Sequence, residues 1–214
     1  MAETSDTPML VSLDIGTSKV VAMVAEVPTQ GSMRIAGVSC QPSRGLKRGM
    51  IVDIESTVLS IKRAVEEAEL MAECKIDRLT VGIGGNHISS LNSHGIVAIV
   101  GGEVSESDLD RVVDAAKAVA ISSDQKILHI MPQEYVIDGQ DGIRDPLGMS
   151  GVRLEVKVHI VIGSRNIAQN IEKSLSRCDL RMDGLVVNQL ASSHAVLTED
   201  EKELGVCLID MGAG

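Results

Sequence analysis

A chain of 214 residues can bury one or two sizeable cores, and 44% hydrophobic with 23% charged residues is a globular rather than a disordered composition. The net charge of −10 argues against a general binder of nucleic-acid backbones, because such proteins need a basic face. Phe and Trp are absent and Tyr135 is the single tyrosine, so the core must consist of Val, Ile, Leu, Met and Ala.

The first forty residues predict three short strands joined by tight turns, a pattern typical of an antiparallel meander. These strands span residues 9–15, 20–27 and 33–39. A loop rich in Pro, Ser and Gly follows at residues 42–49, and its three cations lie between Arg44 and Arg48. We interpret this small basic patch as an ordinary solvated turn.

A helix is predicted next, over residues 54–72, because apolar residues recur there at alternating spacings of four and three. Asp53 is well placed as its N-cap, and Glu55 is favourable in the first turn. A buried strand follows at residues 79–83 and ends in two glycines.

The pattern changes between residues 87 and 164, and we interpret this stretch as a compact unit inserted into a larger domain. Its predicted order is strand, helix, strand, strand, and Ser105 with Asp108 forms a capping box at the helix start. The last strand alternates apolar and polar residues, which predicts a sheet with one solvated face. The strands span residues 91–100, 127–137 and 152–162, and the polar row of the last one is Arg153, Glu155, Lys157 and His159.

The larger domain resumes after the insert. We predict a helix at residues 166–178, a strand at 184–189, a helix at 189–197 and a final buried strand at 206–210. The sequence stops shortly afterwards in a glycine loop. Since a strand with such a loop needs a continuation, we expect a truncation at Gly214.

The four cysteines are scattered, at positions 40, 74, 178 and 207, whereas a zinc site needs converging ligands that usually come from close pairs. We interpret them as buried, reduced thiols of a cytosolic protein. The first eight residues lack the basic start and apolar core of a signal peptide. No apolar run approaches the roughly 20 residues that span a bilayer, so we expect this stretch to be soluble by itself.

Two segments share one design, an apolar strand that ends in an aspartate and is followed by a glycine turn. Asp14 precedes Gly16 in the first, and Asp210 precedes Gly212 in the second. Glycines let the backbone approach a phosphate and point N–H groups at it. A carboxylate at a strand end can hold the Mg²⁺ of a nucleotide through water. Neither segment is a Walker loop, but together they predict a nucleotide site.

The predicted site therefore has two magnesium-binding carboxylates, Asp14 and Asp210, both acting through water. Lys19 either adds a positive charge or points away along the second strand. No catalytic residue is assigned. The predicted nucleotide-binding residues are Asp14, Gly16, Thr17, Ser18, Lys19, Asp210, Gly212, Ala213 and Gly214.

Residues 13–20, with the sequence LDIGTSKV, resemble the first phosphate motif of the actin, hexokinase and heat-shock chaperone superfamily. Further segments resemble the FtsA family of bacterial cell-division proteins, and together they cover nearly the whole chain after Pro8. These segments are residues 42–45, 68–72, 131–135, 148–153, 190–193 and 196–201. Ala213 departs from the family pattern, which commonly has glycine there.

The resemblance implies an α/β, actin-like (ribonuclease H-like) nucleotide-binding fold. Subdomain 1A would comprise residues 1–86 and 165–214, and an inserted strand-helix-strand-strand subdomain of the 1C or SHS2 type would comprise residues 87–164. Residues 189–197 would be the first connecting helix. The second actin-like half would lie beyond Gly214, with the FtsZ-binding subdomain and a C-terminal amphipathic membrane helix.

The resemblance also implies a protein that binds ATP and Mg²⁺, polymerises, and links FtsZ filaments to the cytoplasmic membrane at the septum. Later division proteins and neighbouring copies would bind the 1C insert, and any ATP hydrolysis would be slow or secondary. Two alternatives from other classes are a sugar-kinase-type phosphotransferase and a PilM-like binding module of pilus assembly. With about half of the site beyond Gly214, we expect this chain alone to bind ATP weakly or not at all.

Overall fold

A computed structural model describes residues 8–29 and 31–214. The prediction made for the first eight residues therefore lies, except for Pro8, outside the described part. The chain divides into two compact units. The first comprises the described residues up to His87 together with Asn166–Gly214, and the second comprises Ile88–Arg165. In sequence, the second unit is an insertion into the first.

The strands in chain order are β1 (Met9–Ile15), β2 (Lys19–Glu26), β3 (Arg34–Pro42), β4 (Leu46–Lys47), β5 (Met50–Ile51), β6 (Arg78–Ile83), β7 (Ser89–Ala98), β8 (Gln125–Ile137), β9 (Gln140–Ile143), β10 (Arg153–Ser164) and β11 (Arg181–Val187). The helices are α1 (Ile54–Ala72), α2 (Glu106–Lys117), α3 (Arg165–Ser176), α4 (Asn188–Val196) and α5 (Glu199–Leu204).

The first unit is built on a five-stranded mixed sheet of order β11-β6-β1-β2-β3. Strands β1, β2 and β3 pair antiparallel, which confirms the predicted meander. Strands β6 and β11 extend the sheet in parallel with β1. The carboxyl ends of three parallel strands therefore lie at one edge, where ligands bind in open α/β sheets.

Helix α1 packs against β2 and β3 through the apolar stripe that its sequence predicts. Its start is capped as expected, because the backbone N–H of Ser56 donates to the Asp53 carboxylate at 3.2 Å. The helix crosses β3 at Gly37, where an added Cβ would lie 2.8 Å from the Ala68 carbonyl oxygen. Fully buried aliphatic side chains on α1 and on strands β1, β2 and β6 form the core, including Leu13, Val20, Val24, Ile61, Leu79 and Val81.

The predicted buried strand at residues 206–210 is wrong. These residues form neither helix nor strand, and the side chains of Val206 and Ile209 are exposed. An apolar run forms a strand only where a neighbouring strand supplies hydrogen-bond partners for its backbone. Within the described part of the chain, no strand pairs with residues 206–210.

The four cysteines are free, but none of them is fully buried, which corrects the expectation from the sequence. Cys40 and Cys207 are exposed, and Cys74 and Cys178 are half-buried. Cys40 is exposed because it belongs to the β3 residues that face away from α1, and Cys207 because it lies in the unpaired segment before Gly214.

Cys178 is expected to be far less reactive than Cys40 towards maleimide or a disulfide reagent at pH 8. Burial raises the pKa of the Cys178 thiol to about 11, so only roughly one thiol in a thousand is ionised at pH 8. The thiol also donates to the Ser174 carbonyl at 3.2 Å. Labelling followed by peptide mass spectrometry measures this, and Cys178 labelling should rise only as the pH approaches 11. Equal rates for the two thiols in the folded chain would contradict the expectation.

The second unit consists of a four-stranded sheet of order β7-β10-β8-β9 with α2 packed on one face. The predicted order of strand, helix, strand, strand is confirmed, with the short β9 added. The capping box is also confirmed, because Ser105 and Asp108 each accept the other's backbone N–H. The core lies between α2 and the sheet and contains Val112 and Ala116 of the helix and Leu154, Val156, Val158 and Ile160 of β10.

The opposite face of this sheet carries the polar row of β10. Arg153 and Lys157 are exposed, while Glu155 and His159 are half-buried. Within the row, Arg153 forms an ion pair with Glu155 at 2.8 Å, and His94 Nε2 of the neighbouring β7 lies 2.9 Å from the same carboxylate. Val152, the first residue of the predicted strand at 152–162, lies outside β10 and is 75% exposed, which corrects the predicted start of this strand. Across residues 8–29 and 31–214, the helices all fall short of the length and apolarity needed to cross a membrane.

Candidate nucleotide site

An open cavity of about 850 Å³ lies in the first unit, at the carboxyl ends of the parallel strands. Both glycine turns line it, although they lie near opposite ends of the sequence. Every residue predicted for the site is in its wall: Asp14, Gly16, Thr17, Ser18, Lys19, Asp210, Gly212, Ala213 and Gly214. The turn between β4 and β5, the loop after β6 and the start of α4 complete the wall.

The first glycine turn is closed by its own backbone. The Gly16 N–H donates to the Lys19 carbonyl at 2.9 Å, and a Cβ at Gly16 would lie 2.9 Å from that same oxygen. Any other residue would therefore widen the turn. Thr17 Oγ1 accepts a hydrogen bond from the Gly49 N–H at 2.9 Å, which ties the turn to the β4–β5 segment.

Asp14 is the half-buried carboxylate of the cavity. Burial raises its pKa above the usual value, while the hydrogen bond from Asn188 and the charge of Lys19 lower the pKa and the charge of Asp210 raises it. The charge of Lys19 therefore acts on the Asp14 carboxylate, and Lys19 also lines the cavity. The effect of Asp210 means that two negative charges face one space, an arrangement that favours a cation between them.

Asn188 is a site residue that the sequence did not reveal. It is the first residue of α4, and its Nδ2 donates to Asp14 Oδ1 at 3.0 Å. The amide fits because β6 has no side chain at Gly82, where a Cβ would lie 2.3 Å from Asn188 Oδ1. Asn is common near the start of a helix, where it usually serves as a cap. Its presence in the sequence therefore did not indicate a ligand site. Gly82 within the apolar strand β6 was the sequence feature that could have indicated it, because a glycine inside a strand often marks a place where another group lies close to the backbone.

The residues fit a magnesium-bound nucleotide. The two turns approach each other so closely that a Cβ at Gly214 would lie 2.5 Å from Thr17 Oγ1, so the Gly214 backbone lies directly against the Thr17 side chain and only glycine fits there. The two carboxylates supply the hard oxygen ligands that Mg²⁺ prefers, and Mg²⁺ usually retains waters and binds phosphates as well. In the described part of the chain, no group of three or more His, Cys, Asp or Glu is arranged as a metal site made by the protein alone.

A second, smaller cavity of about 540 Å³ lies on the polar face of the sheet in the second unit. Several of its polar groups already have partners: Lys157 Nζ donates to Glu134 at 2.7 Å, and His159 Nδ1 lies 2.7 Å from Asn92 Oδ1. None of the residues predicted for the nucleotide site lines it.

Comparison with known proteins gives three findings. The family model "SHS2 domain inserted in FTSA" matches residues 85–162. Cell division protein FtsA of Pseudomonas aeruginosa is 59% identical over the whole chain, and that of Escherichia coli K12 is 46% identical over the whole chain. The chain covers 51% of each of these two proteins. It therefore spans about half the length of the curated relatives it matches.

Among solved structures, the PilM-PilN type IV pilus biogenesis complex is similar with a TM-score of 0.57. The match covers 86% of this chain and 49% of that one, at 13% sequence identity. At this identity the likeness concerns the fold alone.

Proposed function

Because this chain belongs to the FtsA family of cell-division proteins, we propose that it forms the first part of the ATP site of an actin-like protein that acts at the division septum. The predicted fold class is confirmed: the chain is α/β and actin-like, with an inserted SHS2 domain. The observation that carries the proposal is the convergence of Asp14 and Asp210, each with its glycine turn, on one cavity.

In this proposal the backbone N–H groups of the two glycine turns bind the nucleotide's phosphates. Thr17 and Ser18 add hydroxyl groups, and Lys19 adds a positive charge. Asp14 and Asp210 hold the Mg²⁺ through its waters. The bound nucleotide supplies a charged bridge between the two halves of the full-length protein, and its occupancy tunes assembly into filaments.

We assign residues 1–86 and 165–214 to subdomain 1A and residues 87–164 to subdomain 1C. Subdomain 1C carries contacts to neighbouring copies and to later division proteins. The polar row of β10 belongs to its solvated face in this assignment, because Arg153 is already paired with Glu155, and Lys157 with Glu134. Binding of FtsZ and attachment to the cytoplasmic face of the inner membrane belong to parts of the full-length protein outside this chain.

The proposal is tested in a protein of the relatives' full length that carries these residues. It should bind Mg-ATP in calorimetry and co-pellet with FtsZ filaments, whereas the chain of 214 residues should show weak binding of Mg-ATP or none. Micromolar affinity of the short chain would contradict the expectation that about half of the site lies elsewhere.

The same protein also separates the proposal from its alternatives. It should not transfer phosphate from ATP to sugars, and it should not bind a peptide from a pilus protein. Sugar phosphorylation without FtsZ co-pelleting would point to a kinase of the superfamily. Peptide binding without FtsZ co-pelleting would point to a pilus-assembly module.

A further inference from the structure

The turn between β4 and β5 lies at the phosphate end of the cavity. Its sequence suggested an ordinary solvated turn, and Arg48 is indeed exposed, but Arg48 and Gly49 both line the cavity wall. The strands that flank the turn have only two residues each, so contacts of the turn itself must fix its position.

Three glycine loops meet at this turn. The Gly49 N–H donates to Thr17 in the first phosphate turn. A Cβ at Gly49 would lie 2.8 Å from the carbonyl oxygen of Gly84, in the loop after β6. A Cβ at Gly214, in the second phosphate turn, would lie 3.2 Å from the Cα of Arg48. The backbone of Arg48 is therefore held between both phosphate turns.

The conformation of Arg48 is unusual for its residue type. Its φ is 51°, in the left-handed region where glycine is favoured and other residues are strained. In the described part of the chain, the Arg48 side chain takes part in no ion pair that would account for an arginine here. Strain of this kind concentrates at ligand sites.

The charged residues of the cavity wall suggest a role for Arg48 in binding phosphate. The cavity wall contains two acids, Asp14 and Asp210, and two cations, Lys19 and Arg48. A nucleoside di- or triphosphate brings several negative charges into this space, more than the single charge of Lys19 can balance. Arg48 is a second cation in the wall that is available to the phosphates.

We propose that Arg48 is a further nucleotide-binding residue, whose guanidinium contacts the terminal phosphates of a nucleoside di- or triphosphate held between the two glycine turns. This inference rests on the proposed nucleotide site and extends it to an element that neither glycine motif contains. Arginine suits the role because its planar fork can bind phosphate oxygens in pairs.

The test uses the full-length protein and titrations with Mg-ATP, Mg-ADP and AMP. Arg48→Gly removes the charge and also relieves the left-handed strain, so it should fold at least as well as the wild type. It should bind Mg-ATP and Mg-ADP about tenfold more weakly and AMP within about twofold of the wild type. Arg48→Lys should retain most of the affinity. The matched control Arg44→Ala removes the same charge from the same loop but outside the cavity wall, and should bind like the wild type.

Each other outcome overturns a specific claim. If Arg48→Gly binds Mg-ATP like the wild type, or loses no more affinity than Arg44→Ala, the proposed contact is absent. An equal loss for AMP and ATP would mean that Arg48 acts on the fold and not on the terminal phosphates. If the wild type itself binds no nucleotide, the proposed function fails, which is distinct from a failure of Arg48 alone.

Discussion

Replacement of Gly95 by alanine should destabilise the second unit by about 3 kcal/mol or more. Helix α2 crosses β7 at this glycine, so a Cβ there would lie 2.1 Å from the Val112 carbonyl oxygen and 2.8 Å from the Ala116 backbone nitrogen. Both contacts are with the helix backbone, which cannot rotate away as a side chain can. The helix must therefore lift from the sheet and expose part of the core that it covers.

The fluorescence of a single tyrosine can be used to follow the unfolding of the second unit. Tyr135 is the only aromatic residue of the 214 and lies in β8 of the second unit, so tyrosine fluorescence during urea denaturation reports that unit. Gly184→Ala is the matched control, because it is also a strand glycine and its new Cβ would meet Thr80 no closer than 3.9 Å. The tyrosine transition should move to lower urea for Gly95→Ala and stay in place for Gly184→Ala. An unchanged midpoint for Gly95→Ala would show that α2 does not approach β7 this closely.

Replacement of Asp14 by alanine should weaken binding of Mg-ATP by the full-length protein on the order of 100-fold, because one of the two proposed magnesium carboxylates is lost. Asn188→Ala keeps both carboxylates but removes the hydrogen bond that orients Asp14, so we expect a smaller loss of about tenfold. Asp183→Ala is the control, since Asp183 pairs with Arg78 at 3.1 Å outside the cavity wall.

Calorimetry in the presence of Mg²⁺ and in the presence of a chelator shows whether Asp14→Ala weakens binding through loss of the metal or through a change of the fold. Without Mg²⁺ the wild type should bind ATP more weakly, and the difference between the wild type and Asp14→Ala should shrink. If Asp14→Ala and Asp183→Ala behave alike in Mg²⁺, Asp14 is not part of the site.

The sequence predicted those elements whose own residues carry the signal. Helix α1 was found at its observed bounds because its apolar residues follow a helical period over five turns. The β1–β3 meander was found because its strands are apolar and adjacent in sequence. Both glycine turns that line the cavity were predicted as parts of one site for a similar reason, because each holds an aspartate and its glycines within a few residues.

What the sequence missed depends on contacts between distant segments. The segment at residues 206–210 has a strand composition, but a strand also needs a neighbour, which its own residues do not supply. Strands β4 and β5 are two residues long, too short for any period to show. Asn188 and Arg48 belong to the cavity only because Asp14 and the glycine turns lie beside them, and no local pattern encodes that proximity.

The fit between Gly82 and Asn188 has an evolutionary consequence. The amide of Asn188 occupies the volume that a side chain on β6 would fill, so the two positions compete for one space. A lineage that gains a methyl group at position 82 must accommodate a displaced or smaller residue at position 188, and Asp14 then loses its partner. Substitutions at positions 82 and 188 should accordingly covary among related sequences. The number of such paired substitutions would show how often this part of the cavity wall has changed.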